Sequence, residues 1–190
     1  FLKFAENGLV YRGSKPIMWS PVEQTALAEA EIEYKEHQST TIWVKFPFIK
    51  APEGLEGADI VIWTTTPWTI PANRAVCYGP NISYGLFEVE SVRQDLDFAP
   101  FAKPGDKLIL ADQLADEVMG ASFVATFKRL ADVPAASLEG AKLHHPLKGH
   151  ADSYGFDIHM LAGDHVTDDA GTGFVHTAPG HGQDDYFAWL

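Results

Sequence analysis

The chain has one cysteine in 190 residues, and that scarcity removes whole classes of architecture. A single thiol makes neither an internal disulfide nor a multi-cysteine zinc site. Cys77 stands in Arg74-Ala75-Val76-Cys77-Tyr78, where a small buried apolar residue is the expected role, and the cytosol is the expected compartment. Basic residues are also scarce: 14 Lys and Arg face 26 Asp and Glu, a net charge of −12. A surface of that sign repels polyanions, because non-specific nucleic-acid binding rests on phosphate neutralisation by Lys and Arg. Any nucleic-acid substrate is therefore expected to be held mainly by something else. No apolar window approaches the roughly 20 residues of a membrane span. The start, Phe1-Leu2-Lys3-Phe4-Ala5-Glu6, lacks the basic segment, apolar stretch and cleavage site of a signal peptide. It also lacks a methionine, so the chain is expected to be a piece of a longer polypeptide. There is no internal repeat and no low-complexity tract.

What is present is a foldable chain, with 46% hydrophobic and 12% aromatic residues, of a length that suits one domain with a sizeable core. Sixteen glycines and twelve prolines punctuate short segments at fairly even spacing, which predicts a β-rich domain. Strands are expected at 31–35, 40–49, 59–64, 75–78, 83–89, 107–110, 122–130, 157–161 and 173–176. Asp112 to Met119 predicts a short helix, with Asp112 as N-cap and Leu114, Val118 and Met119 facing inward. Residues 131–155 read mostly as loop, and the first 25 as loosely packed incoming strands.

Two clusters carry chemistry. In Trp63-Thr64-Thr65-Thr66-Pro67-Trp68-Thr69-Ile70-Pro71-Ala72-Asn73, four threonine hydroxyls and an asparagine amide crowd into eleven residues after the apolar run at 58–62. Pro67 and Pro71 withhold two N–H groups and fix φ, so neither a continuing strand nor a regular helix suits the segment. A strand that ends in hydroxyls and is stopped by proline delivers polar groups to the rim of a sheet. Strand propensity alone explains any one of these threonines; it does not explain the cluster.

The second cluster is Asp168-Asp169-Ala170-Gly171-Thr172-Gly173-Phe174-Val175-His176-Thr177-Ala178-Pro179-Gly180-His181-Gly182-Gln183-Asp184-Asp185-Tyr186. It predicts a short strand between tight turns, with Gly171 and Gly173 permitting positive φ or close approach of a ligand. A helix is expected after Gly182, with Asp184 and Asp185 in its first turn, where the helix dipole favours acids. Asp184 reads as an ordinary first-turn acid and His181 as an exposed turn residue. His176 at a strand end, taken alone, reads as a hydrogen-bonded core histidine, the commoner case for an isolated histidine. A metal site from His176, His181 and Asp184 or Asp185 is chemically permissible, but the spacing matches no strong zinc signature, and no metal is expected. A carboxylate here, beside the hydroxyl loop, suits a substrate with an amino group and several hydroxyls.

Taken together, the clusters resemble a known family. Residues 63–73 resemble the threonine-rich peptide of the editing domain inserted into isoleucyl-tRNA synthetases, and residues 171–186 resemble that domain's second signature. The opening, Gly13-Ser14-Lys15-Pro16-Ile17-Met18-Trp19-Ser20-Pro21 followed by Thr25-Ala26-Leu27-Ala28-Glu29-Ala30-Glu31-Ile32-Glu33-Tyr34, is similar to the place where the insertion leaves the synthetase body. Valyl and leucyl editing domains carry Thr-Thr-Arg-Pro and then an acid. Here Thr66 and Trp68 occupy the arginine and acid positions, which points to the isoleucyl member, and His-Thr-Ala-Pro-Gly-His-Gly has the bacterial form. Phe174 departs from the smaller apolar residue often found there and is expected to reshape a local wall.

The resemblance implies a mainly β fold, a closed six-stranded barrel with short peripheral helices, occupying residues 1–190 as a single inserted domain. It implies hydrolysis of the ester of valine misattached to isoleucine tRNA. One methylene gives only about 1–3 kcal/mol of discrimination, isoleucine against valine being the reference case, so a second, smaller sieve is needed. Carried over by position, Asp185 would bind the α-ammonium, and Thr64, Thr65 and Thr66 would line the pocket, the latter two near the ester and ribose. Trp68 would shape the amino-acid wall, Asn73 would support the loop, and His176 would restrict size beside the side chain or ribose. No Ser-His-Asp grouping is evident, so catalysis is expected from Asp185, Thr65, Thr66 and His176 positioning a water, helped by a ribose hydroxyl. No cofactor is implied in this domain, ATP belonging to the parent enzyme's separate synthetic site. The implied partners are the valine-carrying 3' end of tRNA(Ile) and the rest of the synthetase, with the fragment itself monomeric. The alternatives are a module that binds the charged tRNA end without hydrolysis, and a metal-dependent hydrolase on His176, His181 and Asp184.

Overall fold

The computed structural model describes residues 1–14 and 16–190; Lys15 of the opening motif lies outside the described residues. The chain opens with a short helix α1 (Leu2–Glu6) and a two-residue hairpin, β1 (Trp19–Ser20) paired with β2 (Thr25–Ala26). The main body is built from β3 (Ile42–Pro47), β4 (Ala58–Thr64), β5 (Ala75–Tyr78), β6 (Tyr84–Val92), β7 (Lys107–Ala111), α2 (Ala115–Ala121), β8 (Val124–Val133), β9 (Lys142–His144), β10 (Asp157–Ala162), β11 (Phe174–Thr177) and α3 (Gln183–Trp189). Five short 3-10 segments connect them.

One sheet has five strands in the order β3-β4-β7-β6-β8, and another has four in the order β11-β5-β10-β9. Inner strands are buried on both faces and read as continuous apolar runs: Ile60, Val61 and Ile62 of β4, and Leu108, Ile109 and Leu110 of β7, are fully buried, as is all of β5. Val118 and Met119 of α2 join the same core, with Leu114 just before them.

The expected closed barrel is not formed. Among the described residues, three separate open sheets, with three α-helices and five 3-10 segments, make a mixed α/β fold in place of a mainly β one. Two pairings, β4 with β7 and β5 with β10, are parallel, and each needs a crossover of intervening chain where an up-and-down barrel would use hairpins. At the far edge, β8 pairs only with β6 through an irregular register and is largely exposed. Between the two large sheets an isolated bridge, Phe48 to Leu143, stands where a closing ladder would run.

Other expectations shift locally. Residues 31–35 form no strand: a 3-10 turn at Glu29–Glu31 leads into irregular, exposed chain with no partner strand to pair it. Asp112 does not cap the helix; Ala111 precedes a 3-10 turn, and the Asp112 carboxylate accepts from Arg129 Nε and Nη2, each at 2.8 Å. The segment 131–155 is largely irregular but hides β9, whose Leu143 is fully buried.

Candidate active site

The threonine-rich segment begins at the last residue of β4. Thr64 is buried; its Oγ1 accepts the Thr66 N–H at 3.0 Å and lies 3.2 Å from the Thr66 hydroxyl. Pro67 then starts a 3-10 helix, Pro67–Ala72, which tolerates the missing N–H groups of both prolines. The Thr69 hydroxyl turns back to donate to the Thr66 carbonyl at 2.8 Å, a local side-chain bond typical of threonine near a helix start. Asn73 ends the segment, fully buried, one residue before Arg74 leads into β5.

The second motif reaches this loop through strand pairing. β11 lies antiparallel on β5, with His176 opposite Val76 and Thr177 opposite Ala75. That register places the His176 ring against the loop, since Asn73 stands just ahead of β5. His176 Nδ1 lies 2.6 Å from Asn73 Nδ2 and its Nε2 lies 2.9 Å from Thr69 Oγ1. Asn73 Nδ2 also donates to the Ala75 carbonyl at 2.8 Å, which fixes this end of the amide as the NH2. Nδ1 must then accept, Nε2–H donates to Thr69, and Thr69 donates to Thr66. The chain of donors is consistent only with a neutral imidazole. Burial, with repulsion from His145 and His181 behind it, pushes the His176 pKa down to about 4.

Asp185 enters from the first turn of α3. Its Oδ2 accepts the Ala178 N–H at 2.8 Å, tying the helix to the residue two after His176. Gly182 makes room for it: a Cβ there would lie 3.1 Å from the Asp185 carboxyl carbon. Oδ1 has no hydrogen bond among the described residues and stays available to a ligand. Burial raises the Asp185 pKa, opposed by the Ala178 N–H and by His165.

The structure thus bonds Thr64, Thr66, Asn73 and His176 into one network through Thr69, and ties Asp185 to the backbone of Ala178, two residues after His176. Thr65 is exposed and offers its carbonyl to the Ser39 hydroxyl at 2.7 Å. Trp68 is 69% exposed. Asp184 and His181 are exposed, and among the described residues no three His, Cys, Asp or Glu side chains group as a metal site. Phe174 points into the core, stacked on Tyr84 at 4.6 Å, and does not reshape a pocket wall. Gly173 has φ +83°, and a Cβ there would meet Ala111 Cβ at 2.5 Å; its glycine serves core packing and not ligand approach. Trp63 and Gly171, one from each motif, line a cleft of about 300 Å³ with Trp43 and Glu117. Cys77 is buried as expected; its thiol pKa is raised by burial, and it accepts the Thr177 hydroxyl at 3.1 Å.

Thr69 and His145 are the participants that sequence reading missed. Thr69 had a signal, its spacing of three from Thr66 across a proline. His145, which reaches the Ile70 carbonyl from the irregular segment at 3.0 Å, had none.

The family model of tRNA synthetases class I (I, L, M and V) matches residues 1–170. The isoleucine–tRNA ligase of Caulobacter vibrioides is 61% identical over 190 residues, and that of Bradyrhizobium diazoefficiens is 53% identical over 190. Both alignments take in 100% of this chain and 19% of the relative, so the chain spans about a fifth of the length of these ligases. The crystal structure of GlLeuRS-CP1 has a TM-score of 0.59 at 18% identity, over 79% of this chain and 59% of that one. The P. knowlesi cytosolic leucyl-tRNA synthetase editing domain has a TM-score of 0.57 at 12% identity, over 77% and 60%. These structural likenesses concern the fold, while the sequence matches carry the relationship: the chain belongs to the tRNA synthetases class I (I, L, M and V).

Proposed function

We propose that this domain is the editing module of an isoleucine–tRNA ligase and hydrolyses the ester of valine misattached to tRNA(Ile). The observation that carries the reading is the bonded chain Asn73–His176–Thr69–Thr66. It fuses the two motifs into one rigid polar wall, and the Asp185 carboxylate is tied to Ala178, two residues after His176. In this reading the free oxygen of Asp185 receives the α-ammonium through charge-assisted bonds. The hydroxyls of Thr64, Thr65 and Thr66 face the ester and ribose. Both His176 nitrogens are engaged within the protein, so the ring holds the loop and bounds the pocket without shuttling protons. Water then attacks the ester carbonyl, a neighbouring ribose hydroxyl assisting removal of its proton, and the tetrahedral oxyanion is stabilised by fixed donors; collapse breaks the acyl C–O bond, releasing valine, and the terminal ribose oxygen takes up the proton and leaves as the hydroxyl. Nothing in that step requires ATP or another cofactor here. The net charge of −12 leaves the tRNA body to be held by the rest of the ligase.

The test is single-turnover deacylation of Val-tRNA(Ile) by an isoleucine–tRNA ligase carrying this segment. Deacylation that is lost on Asp185→Ala is the expected result. Tight retention of the charged end with no hydrolysis would mean a binding module instead.

A further inference from the structure

We propose that His145 is a positioning residue for the threonine-rich loop, holding its far end by donating from Nε2 to the Ile70 carbonyl. The inference deepens the editing assignment and rests on it for its catalytic consequence. His145 follows β9 and is only 1% exposed. Its Nε2 lies 3.0 Å from Ile70 O, and its Nδ1 accepts the Leu147 N–H at 3.0 Å. One ring nitrogen accepts, so the other carries the proton and donates.

The ring is fixed on its other sides as well. It stacks on Tyr154 at 4.6 Å and meets the Phe156 edge at 5.3 Å, and the Arg74 guanidinium covers Phe156 at 4.1 Å. Burial keeps the imidazole below its ordinary pKa, so it is neutral near pH 7. With both nitrogens hydrogen-bonded the buried ring is satisfied, so removing its donor leaves the Ile70 carbonyl without that partner in a place water does not reach.

What it holds is the turn that sets Asn73. The Ile70 carbonyl also accepts the Asn73 N–H at 3.0 Å, so one oxygen receives both His145 and the backbone of Asn73. The Asn73 amide in turn holds His176. The 3-10 helix is therefore clamped from two elements, by His176 of β11 at Thr69 and Asn73, and by His145 at Ile70. The hydroxyls of Thr64 to Thr66 stand just ahead of this clamp. A loop displaced by about an ångström can lose on the order of a hundred-fold in rate without any change in its reactive groups.

The test uses an isoleucine–tRNA ligase carrying this segment, with His145→Phe and His145→Gln compared. Phenylalanine keeps the ring and its stacking but deletes the donor; glutamine keeps a donor near the same place. The expected result is a fall of about ten- to a hundred-fold in the deacylation kcat for His145→Phe, with KM nearly unchanged, and substantial recovery in His145→Gln. Amide hydrogen exchange across residues 64–74 is followed in the same proteins. The Asn73 amide should exchange faster in His145→Phe and regain protection in His145→Gln, while β4 and β7 keep theirs. Wild-type rates in His145→Phe, or equal impairment of both variants, overturn the positioning role. If wild type itself fails to deacylate, the editing assignment falls and the exchange pattern alone decides: faster exchange rescued by glutamine supports the clamp, and unchanged exchange overturns it.

Discussion

His176 Nδ1 accepts from the Asn73 amide at 2.6 Å across a sequence separation of 103 residues, joining the end of the threonine-rich loop to the strand of the second motif. Removing the amide should therefore cost more than a loop contact would. Asn73→Ala leaves Nδ1 and the Ala75 carbonyl buried without that donor, which costs about 1–3 kcal/mol. The expected outcome is a lowered urea midpoint for the 190-residue segment together with slower deacylation of Val-tRNA(Ile) in the full ligase. An unchanged midpoint would remove the bond from the account of how the site is held.

Much of this site was legible because its residue types are local and dense. Thr64, Thr66 and Asn73 bracket a strand end and a proline turn, and β5 falls on residues 75–78 as read from its apolar run. The pairing of β11 with β5 was not legible, since alternation marks a strand without naming its neighbour. The barrel was expected from the resemblance and not from the pattern: eight of the nine strands read from periodicity and punctuation form, but parallel pairing and open edges are tertiary facts. His145 was invisible for a different reason. It lies in an irregular segment where no period marks a buried face, and its value comes from a carbonyl 75 residues away.

Acid should weaken the segment through His176. Its folded-state pKa of about 4 lies below the ordinary imidazole value near 6.5, so the unfolded chain binds the extra proton first. Stability thus rises with pH across that window and is lost as pH falls from about 6.5 towards 4, by up to about 3 kcal/mol. His145, also depressed by burial, adds in the same sense. Asp185, with its raised pKa, acts oppositely just above the ordinary carboxylate range. Urea midpoints between pH 4.5 and 7 should slope upward in wild type and flatten in His176→Gln, which does not titrate. Parallel slopes would show that His176 is not held neutral.

The Thr69 hydroxyl should behave as a relay. Thr69→Val keeps the branched shape but strands the His176 Nε2–H and removes a donor from the Thr66 carbonyl. Thr69→Ser keeps both bonds. Valine is expected to cost about 1–3 kcal/mol and to slow deacylation, and serine to stay within a few tenths of wild type. A ligase in which valine and serine are indistinguishable would place the loop's order in its prolines alone.

Asp185 offers the sharpest separation between charge and shape. Asp185→Asn preserves the acceptor for the Ala178 N–H and the room made by Gly182, so α3 should keep its seat. It removes the negative charge that would meet an α-ammonium. Hydrogen bonds to charged groups contribute about 1.5–3 kcal/mol, so the deacylation kcat/KM should fall roughly ten- to a hundred-fold, with the urea midpoint near that of wild type. Asp185→Ala should fall further, because it also frees Ala178 and loosens the turn that follows His176. N-acetylated Val-tRNA(Ile), which has no ammonium, supplies the control: wild type and Asp185→Asn should cleave it at similar slow rates. If Asp185→Asn discriminated against the acetylated ester as strongly as wild type does, the carboxylate would not be the ammonium receptor, and its bond to Ala178 would serve only to seat α3.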